Sequence, residues 1–300
     1  MLMQRKVETA DLAIACEISG PEYGSPIILL HGWPDDPRTW DGLLPDLHAA
    51  GWRTISPYLR GFGPTRFRRD TGLRTGQLAA LGQDVLDLAD ALALRRFAVA
   101  GHDWGARAAY IASALAPERI TACAAISVGW GTNDPGQSLE LTQAQNYWYQ
   151  WLMALERGAE LVQRKRREFT RYIWDIWNPG WTFPEADFAV TAASFDNPDW
   201  ADVTLHSYRV RWGLAERDPA YDAIETRLAA DPVIRVPSLV IHGAADPCNA
   251  PATSEGKEHL FAASYRRSVL EGLGHFPQRQ SSPSTLAALM PFLGEASLRV

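Results

Sequence analysis

Cysteine is scarce in this 300-residue chain: Cys16, Cys123 and Cys248 are odd in number, widely spaced and free of any C-x-x-C pair. That excludes a disulfide framework and suits a reducing compartment. Long apolar runs are missing too, since no window approaches the roughly 18 residues of a membrane span. The opening MLMQRKVETADLAIACEISG carries charges within its first six residues and has no apolar core of secretory length. A cytoplasmic protein without a membrane partner is therefore expected. There is no excess of positive charge: the net charge is −6, which argues against nucleic acid as a partner. The one basic run, Arg164-Lys165-Arg166-Arg167, sits among Glu156, Glu160 and Glu168 and reads as a solvated helix face. Internal repeats and low-complexity tracts are absent.

What is present is a regular alternation. Short apolar runs at 12–18, 26–31, 53–59, 96–102, 120–127, 237–243 and 266–272 read as strands. Helical patterns at 76–94 and 104–116 lie between them, and 282–295 adds a last helix that opens on Ser-Pro-Ser and ends near Gly294. Buried strands alternating with helices predict an α/β fold with a mostly parallel, doubly wound sheet. The alternation breaks at about residue 129. From there to 218 the chain is helical in pattern and rich in aromatics. Eight of its twelve tryptophans fall there: Trp130, Trp148, Trp151, Trp174, Trp177, Trp181, Trp200 and Trp212. A connection between strands needs only a few residues, so 129–218 is expected to be a helical cap on a core formed by 1–128 and 219–300. Most of the tryptophans are expected to pack the cap, with two or three of them touching substrate.

Three titratable residues follow strands, where ligand sites of open α/β sheets lie. In VAGHDWGA (99–106), Asp103 occupies the middle of G-x-Nu-x-G, the strand–turn–helix elbow that exposes a nucleophile. Asp246 follows the strand ending in LVIHG, and His275 follows the run at 266–272. Each alone has an ordinary structural explanation: a helix cap, a turn before Pro247, a surface or core histidine. Together, in the order nucleophile, acid, base, they point to nucleophilic catalysis. The loop LLHGWPDD (29–36) can add a backbone N–H to an oxyanion hole, with Trp104 supplying the other.

A carboxylate at the elbow selects the chemistry. A carboxyl group with an ordinary pKa of about 3.9 is already ionised at neutral pH. It can displace an alkoxide or halide from an sp3 carbon and become an alkyl ester. The imidazole is then free to activate the water that attacks this ester, while Asp246 holds the ring in its tautomer. Epoxides and carbon–halogen bonds are the matching substrates.

HGWPDD, PYLRGFGPTRF, GHDWGARAAY, HGAADP and GLGHFP together resemble the epoxide hydrolases of the α/β-hydrolase superfamily, with haloalkane and haloacetate dehalogenases as close relatives. The resemblance covers nearly the whole chain. It implies an α/β-hydrolase fold with an inserted cap, no cofactor or metal, a monomer or homodimer, and a small apolar electrophile as substrate. Asp103, His275 and Asp246 would be the triad, and Trp33 and Trp104 the oxyanion hole. A cis bond would precede Pro34. His31, Pro34, Tyr149, Gln150 and Trp151 would line the substrate pocket.

The leaving group depends on the cap. Epoxide opening needs a proton donor, and HSYRVRW resembles the family segment that places a tyrosine there, at Tyr208. The second tyrosine's position falls on Gln150, with Tyr149 beside it, which is a departure from the family pattern. Halide release needs N–H donors instead. Trp104 resembles one of these, Trp33 stands where one dehalogenase group has Asn, and Trp148 or Trp151 could substitute. Haloacetate dehalogenases carry two arginines after the nucleophile, of which only Arg107 is matched. Epoxide hydrolysis is the expected activity, with dehalogenation the alternative and a non-catalytic ligand-binding protein the remote one. If Asp246 is not the orienting acid, Asp134 would take that role.

Overall fold

The computed structural model describes residues 3–132 and 139–297. Strands β1 (Met3–Glu8), β2 (Leu12–Ser19) and β3 (Ser25–Leu30) are followed by helix α1 (Leu44–Ala49), β4 (Trp52–Pro57) and the short β5 (Arg66–Phe67). Then come α2 (Leu78–Ala91), β6 (Phe97–His102), α3 (Trp104–Leu115) and β7 (Ile120–Ile126). The sheet runs in the order β1-β2-β4-β3-β6-β7 and continues to β8 (Ser238–Gly243) and β9 (Tyr265–Leu270). β2 is antiparallel to its neighbours β1 and β4, and also pairs with β5. From β4 to β9 every pairing is parallel.

The central strands are apolar on both faces because helices cover both. Ile28, Leu30 and Val99 join one core with Leu81, Val85 and Tyr110 of α2 and α3. Ile27, Leu29, Ala98 and Ala100 point the other way, onto Leu47 of α1 and the C-terminal helix. The seven expected strands all form. β1 and β5 were not expected, and the burial of β1 explains why: only Val7 is buried, so its sequence carries no apolar run and backbone pairing with β2 defines it.

Between β7 and β8 lie α4 (Leu141–Asn146), α5 (Trp148–Ala154), α6 (Glu156–Arg164), α7 (Arg166–Trp177), α8 (Glu185–Ala192) and α9 (Trp200–Arg211). α10 (Asp222–Ala230) then leads into β8. The basic run spans the α6–α7 junction and is spent on local partners: Arg164 on Glu160, Lys165 on Glu168, Arg167 on Asp196. α11 (Pro277–Gln280) and α12 (Ser282–Ser297) close the chain, and α12 continues past Gly294 rather than ending there. Among the described residues no helix is long and apolar enough to cross a membrane.

Candidate active site

The elbow between β6 and α3 is built by close approach of backbone. A Cβ on Gly101 would lie 2.1 Å from the carbonyl oxygen of Gly105, and one on Gly105 would lie 2.2 Å from that of Leu30. Only glycine fits at either position. The turn forces Asp103 to φ 49° and ψ −111°, a left-handed conformation that costs a non-glycine residue energy and is tolerated where it aims a functional side chain.

The aimed carboxylate is buried, 4% exposed. Its Oδ1 accepts the Trp33 backbone N–H at 3.0 Å. Trp33 is followed by a cis bond to Pro34, whose carbonyl oxygen accepts the indole N–H of Trp174 at 2.8 Å. The second oxygen, Oδ2, lies 3.8 Å from Nε2 of His275, ion-pair distance but too long for a hydrogen bond. On the far side of the ring, Nδ1 of His275 donates to Oδ2 of Asp246 at 2.8 Å. Oδ1 of Asp246 accepts the backbone N–H groups of Cys248 and Asn249 at 2.7 and 3.1 Å. One carboxylate thus serves both the turn before Pro247 and the imidazole.

The charges reinforce one another. Burial alone would depress the pKa of His275, but the charge and hydrogen bond of Asp246, with Asp103 opposite, raise it to about 9. Burial would raise that of Asp103, yet His275, His102 and the Trp33 N–H together hold it below the usual carboxylate range. His275 is fully buried, and its Nε2 has no hydrogen-bond partner. Its carbonyl oxygen accepts from His102 Nε2 and Ser127 Oγ, both at 2.8 Å.

Aromatic rings from the helices between β7 and β8 gather around Trp33. Trp33 stacks on Tyr149 at 5.8 Å between ring centres and meets Tyr208 edge-on at 5.2 Å. The Tyr149 and Tyr208 rings lie 5.3 Å apart. The Tyr208 oxygen accepts the Trp104 indole N–H at 3.2 Å, and the Tyr149 oxygen accepts the Gln150 amide at 2.9 Å. Burial first, and then nearby negative charge including that of Asp103, raises the pKa of both phenols, so they remain protonated.

Several residues expected to line the pocket are engaged with protein partners, for readable reasons. His31 has both ring nitrogens engaged: Nε2 accepts from the Leu59 N–H at 3.0 Å, so Nδ1 donates to the Gly32 carbonyl at 2.9 Å. It is a neutral brace beneath the turn, its pKa lowered to about 4 chiefly by burial. Gln150 spans Tyr149 and the Trp212 indole, using its amide nitrogen on one and its oxygen on the other. Trp151 is 37% exposed, packs on Trp212 and donates to the Ala144 carbonyl, so it does not line the buried site. Asp134 lies outside the described residues.

Other residues come to the site that sequence reasoning did not single out. The Trp177 carbonyl accepts the His275 N–H at 2.8 Å and its ring lies 4.8 Å from the imidazole. Asn178 accepts the Phe276 N–H at 2.8 Å. The end of α7 therefore holds the loop that carries His275. No motif marks these contacts, because half of them run through the backbone. Arg211 was missed as well: its guanidinium lies over the Tyr208 ring at 4.7 Å. Among the described residues, no group of three or more His, Cys, Asp or Glu side chains could hold a metal ion.

Comparison with known proteins places these features in context. A family model for the α/β hydrolase fold matches residues 25–281. Epoxide hydrolase A of Mycobacterium tuberculosis is 27% identical over 99% of this chain and 98% of its own length. The crystal structure of a Klebsiella pneumoniae protein, provisionally assigned as an epoxide hydrolase, superposes with TM-score 0.89 at 35% identity, covering 96% of each chain. Epoxide hydrolase A from Mycobacterium thermoresistibile, at TM-score 0.76, 22% identity and 98% of each chain, shows likeness of fold alone.

Proposed function

The chain belongs to the α/β-hydrolase family, and from that footing we propose that it hydrolyses epoxides to vicinal diols through an ester formed on Asp103. The pair of cap phenols carries this reading. Tyr149 and Tyr208 lie 5.3 Å apart against Trp33, whose backbone N–H holds the Asp103 carboxylate. The relatives named as epoxide hydrolases support it, one of them along nearly the full length of both chains.

In the first step an Asp103 oxygen attacks an epoxide carbon and the carbon–oxygen bond breaks. The electron pair goes to the epoxide oxygen, which takes the phenol proton of Tyr208 or Tyr149. The product is a hydroxyalkyl ester of Asp103 and a phenolate. Esterification removes the negative charge beside His275 and lowers its proton affinity, so the proton it holds at rest passes to the phenolate and leaves a neutral base. In the second step His275 Nε2 removes a proton from water, and the resulting hydroxide adds to Cγ of Asp103. The backbone N–H groups of Trp33 and Trp104 receive the oxyanion. Collapse expels the diol oxygen, which takes the proton from His275, and the carboxyl proton left on Asp103 returns to His275.

Halide release is less well served. A halide needs open N–H donors, yet the Trp104 indole donates to Tyr208, the Trp33 indole to Thr204 at 3.1 Å and the Trp151 indole to Ala144. The buried aromatic walls suit a small apolar electrophile. Residues 129–218 act as the cap over a core of 1–128 and 219–300. Cys16, Cys123 and Cys248 are free and buried, which suits a cytoplasmic protein.

The test is intermediate trapping. The His275→Gln variant, exposed to a panel of epoxides and haloalkanes, is expected to gain the mass of an epoxide on the peptide containing Asp103, and Asp103→Asn is expected to be inactive. No adduct with any member of the panel would remove the mechanism; adducts with haloalkanes alone would replace epoxide opening by dehalogenation.

A further inference from the structure

The segment HSYRVRW (206–212) places two arginines close to Tyr208 on α9, and they face different ways. Arg209 is one residue on, and a step of about 100° along the helix carries it away from the phenol. Its Nε donates to the Met153 carbonyl at 3.0 Å and its Nη2 lies 3.5 Å from Glu156. Arg211 is three residues on, where a helix brings side chains onto one face. Its guanidinium carbon lies 4.7 Å from the centre of the Tyr208 ring and 5.7 Å from that of Trp104. Its Nη2 donates to Ser207 Oγ at 2.9 Å, its buried Nε has no partner, and no carboxylate among the described residues pairs with it. Arg60 and Arg279 show the alternative: one donates to both Asp84 oxygens at 2.7 Å, the other holds both oxygens of Asp35. Their charge is spent on a carboxylate, whereas that of Arg211 is free to meet a charge that appears during the reaction.

An unpaired cation is costly to bury. Arg211 is only partly buried and lines a cleft of about 870 Å3, where hydration offsets part of that cost. Burial, then the charge of Arg107, lowers its pKa, yet a guanidinium stays protonated at any working pH. The two phenols differ in what this cation does for them. Burial opposes ionisation of both most strongly. At Tyr208, Asp103 and Cys248 add to that opposition while Arg211 and the Trp104 N–H counter it. At Tyr149 the neighbouring groups Cys248, Tyr208, Asp103 and Tyr147 all oppose ionisation, and the N–H given to its oxygen belongs to a neutral amide.

We infer that Arg211 is a positioning residue of the reaction: its guanidinium stabilises the phenolate of Tyr208 and so makes Tyr208, rather than Tyr149, the phenol that gives up its proton. The inference rests on the epoxide-opening reading of Asp103. As an Asp103 oxygen bonds to the epoxide carbon, the carbon–oxygen bond breaks and the epoxide oxygen takes the Tyr208 proton. Negative charge thereby moves from the carboxylate to the Tyr208 oxygen. A guanidinium attracts a neutral ring modestly and a full negative charge more strongly. An interaction that strengthens along the reaction lowers the barrier instead of tightening binding. Tyr149 donates a hydrogen bond to the same oxygen and keeps its proton. The His275 proton then discharges the Tyr208 phenolate.

The experiment has two arms. The first is a double-mutant cycle on single-turnover ester formation from an epoxide. Arg211→Gln is expected to slow the step by about tenfold or more with little change in substrate affinity, and Arg211→Lys to recover part of the loss. Added to Tyr208→Phe, Arg211→Gln is expected to have little further effect, because the ring it packs on remains while the charge it serves is gone. Losses that multiply in the Tyr208→Phe background, or a coupling found with Tyr149→Phe instead, overturn the inference. The second arm needs no substrate. Difluorotyrosine, whose phenol ionises at lower pH than tyrosine, is placed at position 208 of the whole protein and titrated by fluorine NMR. Arg211→Gln is expected to move that titration upward by about one pH unit, and Arg209→Gln, which removes the same charge from the same helix, to leave it in place. No movement in Arg211→Gln, or an equal movement in Arg209→Gln, overturns the inference. A titration that moves as expected in a protein that opens no epoxide would sink the epoxide reading and leave the coupling of Arg211 to Tyr208 standing. Epoxide opening without that movement would do the reverse.

Discussion

The indole N–H of Trp104, on the helix that begins beside Asp103, donates to the hydroxyl oxygen of Tyr208 on α9 at 3.2 Å. This bond joins α3 to α9 and fixes the direction of the phenol. The oxygen accepts, so its own hydrogen remains available to donate. Tyr208→Phe is expected to lower kcat for epoxide opening by about 10²- to 10⁴-fold, the usual scale of a lost general acid. Comparable rates for Tyr208→Phe and wild type in single-turnover ester formation would show the ring to be structural.

Tyr149 and Gln150 make a sharper pair, because one residue separates a proposed donor from its support. Tyr149→Phe removes a hydroxyl that meets the Gln150 amide and the Cys248 sulfur and is expected to slow ester formation by roughly one to two orders of magnitude. Gln150→Leu keeps the hydroxyl but removes the amide that holds it and the acceptor for Trp212. Its loss should be smaller in rate and visible in stability, at about 1–3 kcal/mol for buried groups left unpaired. Chemical unfolding read beside pre-steady-state kinetics separates the two; a Gln150 variant slower than the Tyr149 one would reverse the assignment.

The legible part of this site was the part that follows strands. Asp103 and Asp246 stand after buried apolar strands and His275 after the half-exposed edge strand β9, so their place at one edge of the sheet follows from topology. The glycines flanking Asp103 announce the elbow because no other residue survives the approach of Gly105 to Leu30. The helices between β7 and β8 were legible as an insertion but not in their facing. On a helix one residue turns a side chain by about 100°, which is why a motif comparison could name Gln150 and Tyr149 but not choose between them. Asn178 and Trp177 were invisible for another reason: they hold the His275 loop through contacts with its backbone, which any sequence would present.

His275 should report directly on the charge opposite it. Its pKa of about 9 depends on Asp246 and Asp103, so Asp103→Asn is expected to shift its NMR titration downward. The same linkage sets a sign for stability. A histidine whose pKa is raised on folding contributes stability that is complete below its unfolded value of about 6.5. That contribution is lost as pH rises through about 9. Unfolding free energies of the wild-type protein should therefore fall between these limits more steeply than those of Asp103→Asn. Identical titration of His275 in both proteins would mean that the 3.8 Å pair carries no charge coupling.

Asp246 is the most demanding test of the triad because one side chain does two jobs. Its Oδ1 closes the turn through Cys248 and Asn249, while its Oδ2 accepts from His275. In Asp246→Asn the amide oxygen can still take the turn hydrogen bonds, so the fold should survive. The group facing Nδ1 then becomes an NH2 donor, which favours the other tautomer and puts the imidazole hydrogen on Nε2, where the base must be free. Ester formation should persist while its hydrolysis slows by about 10⁴-fold, the scale seen when an orienting carboxylate is made an amide. Rapid mixing with an epoxide and mass analysis of the Asp103 peptide should then find ester accumulating in the variant. Turnover within a few-fold of wild type would assign the orienting role elsewhere, with Asp134→Asn the next variant to make.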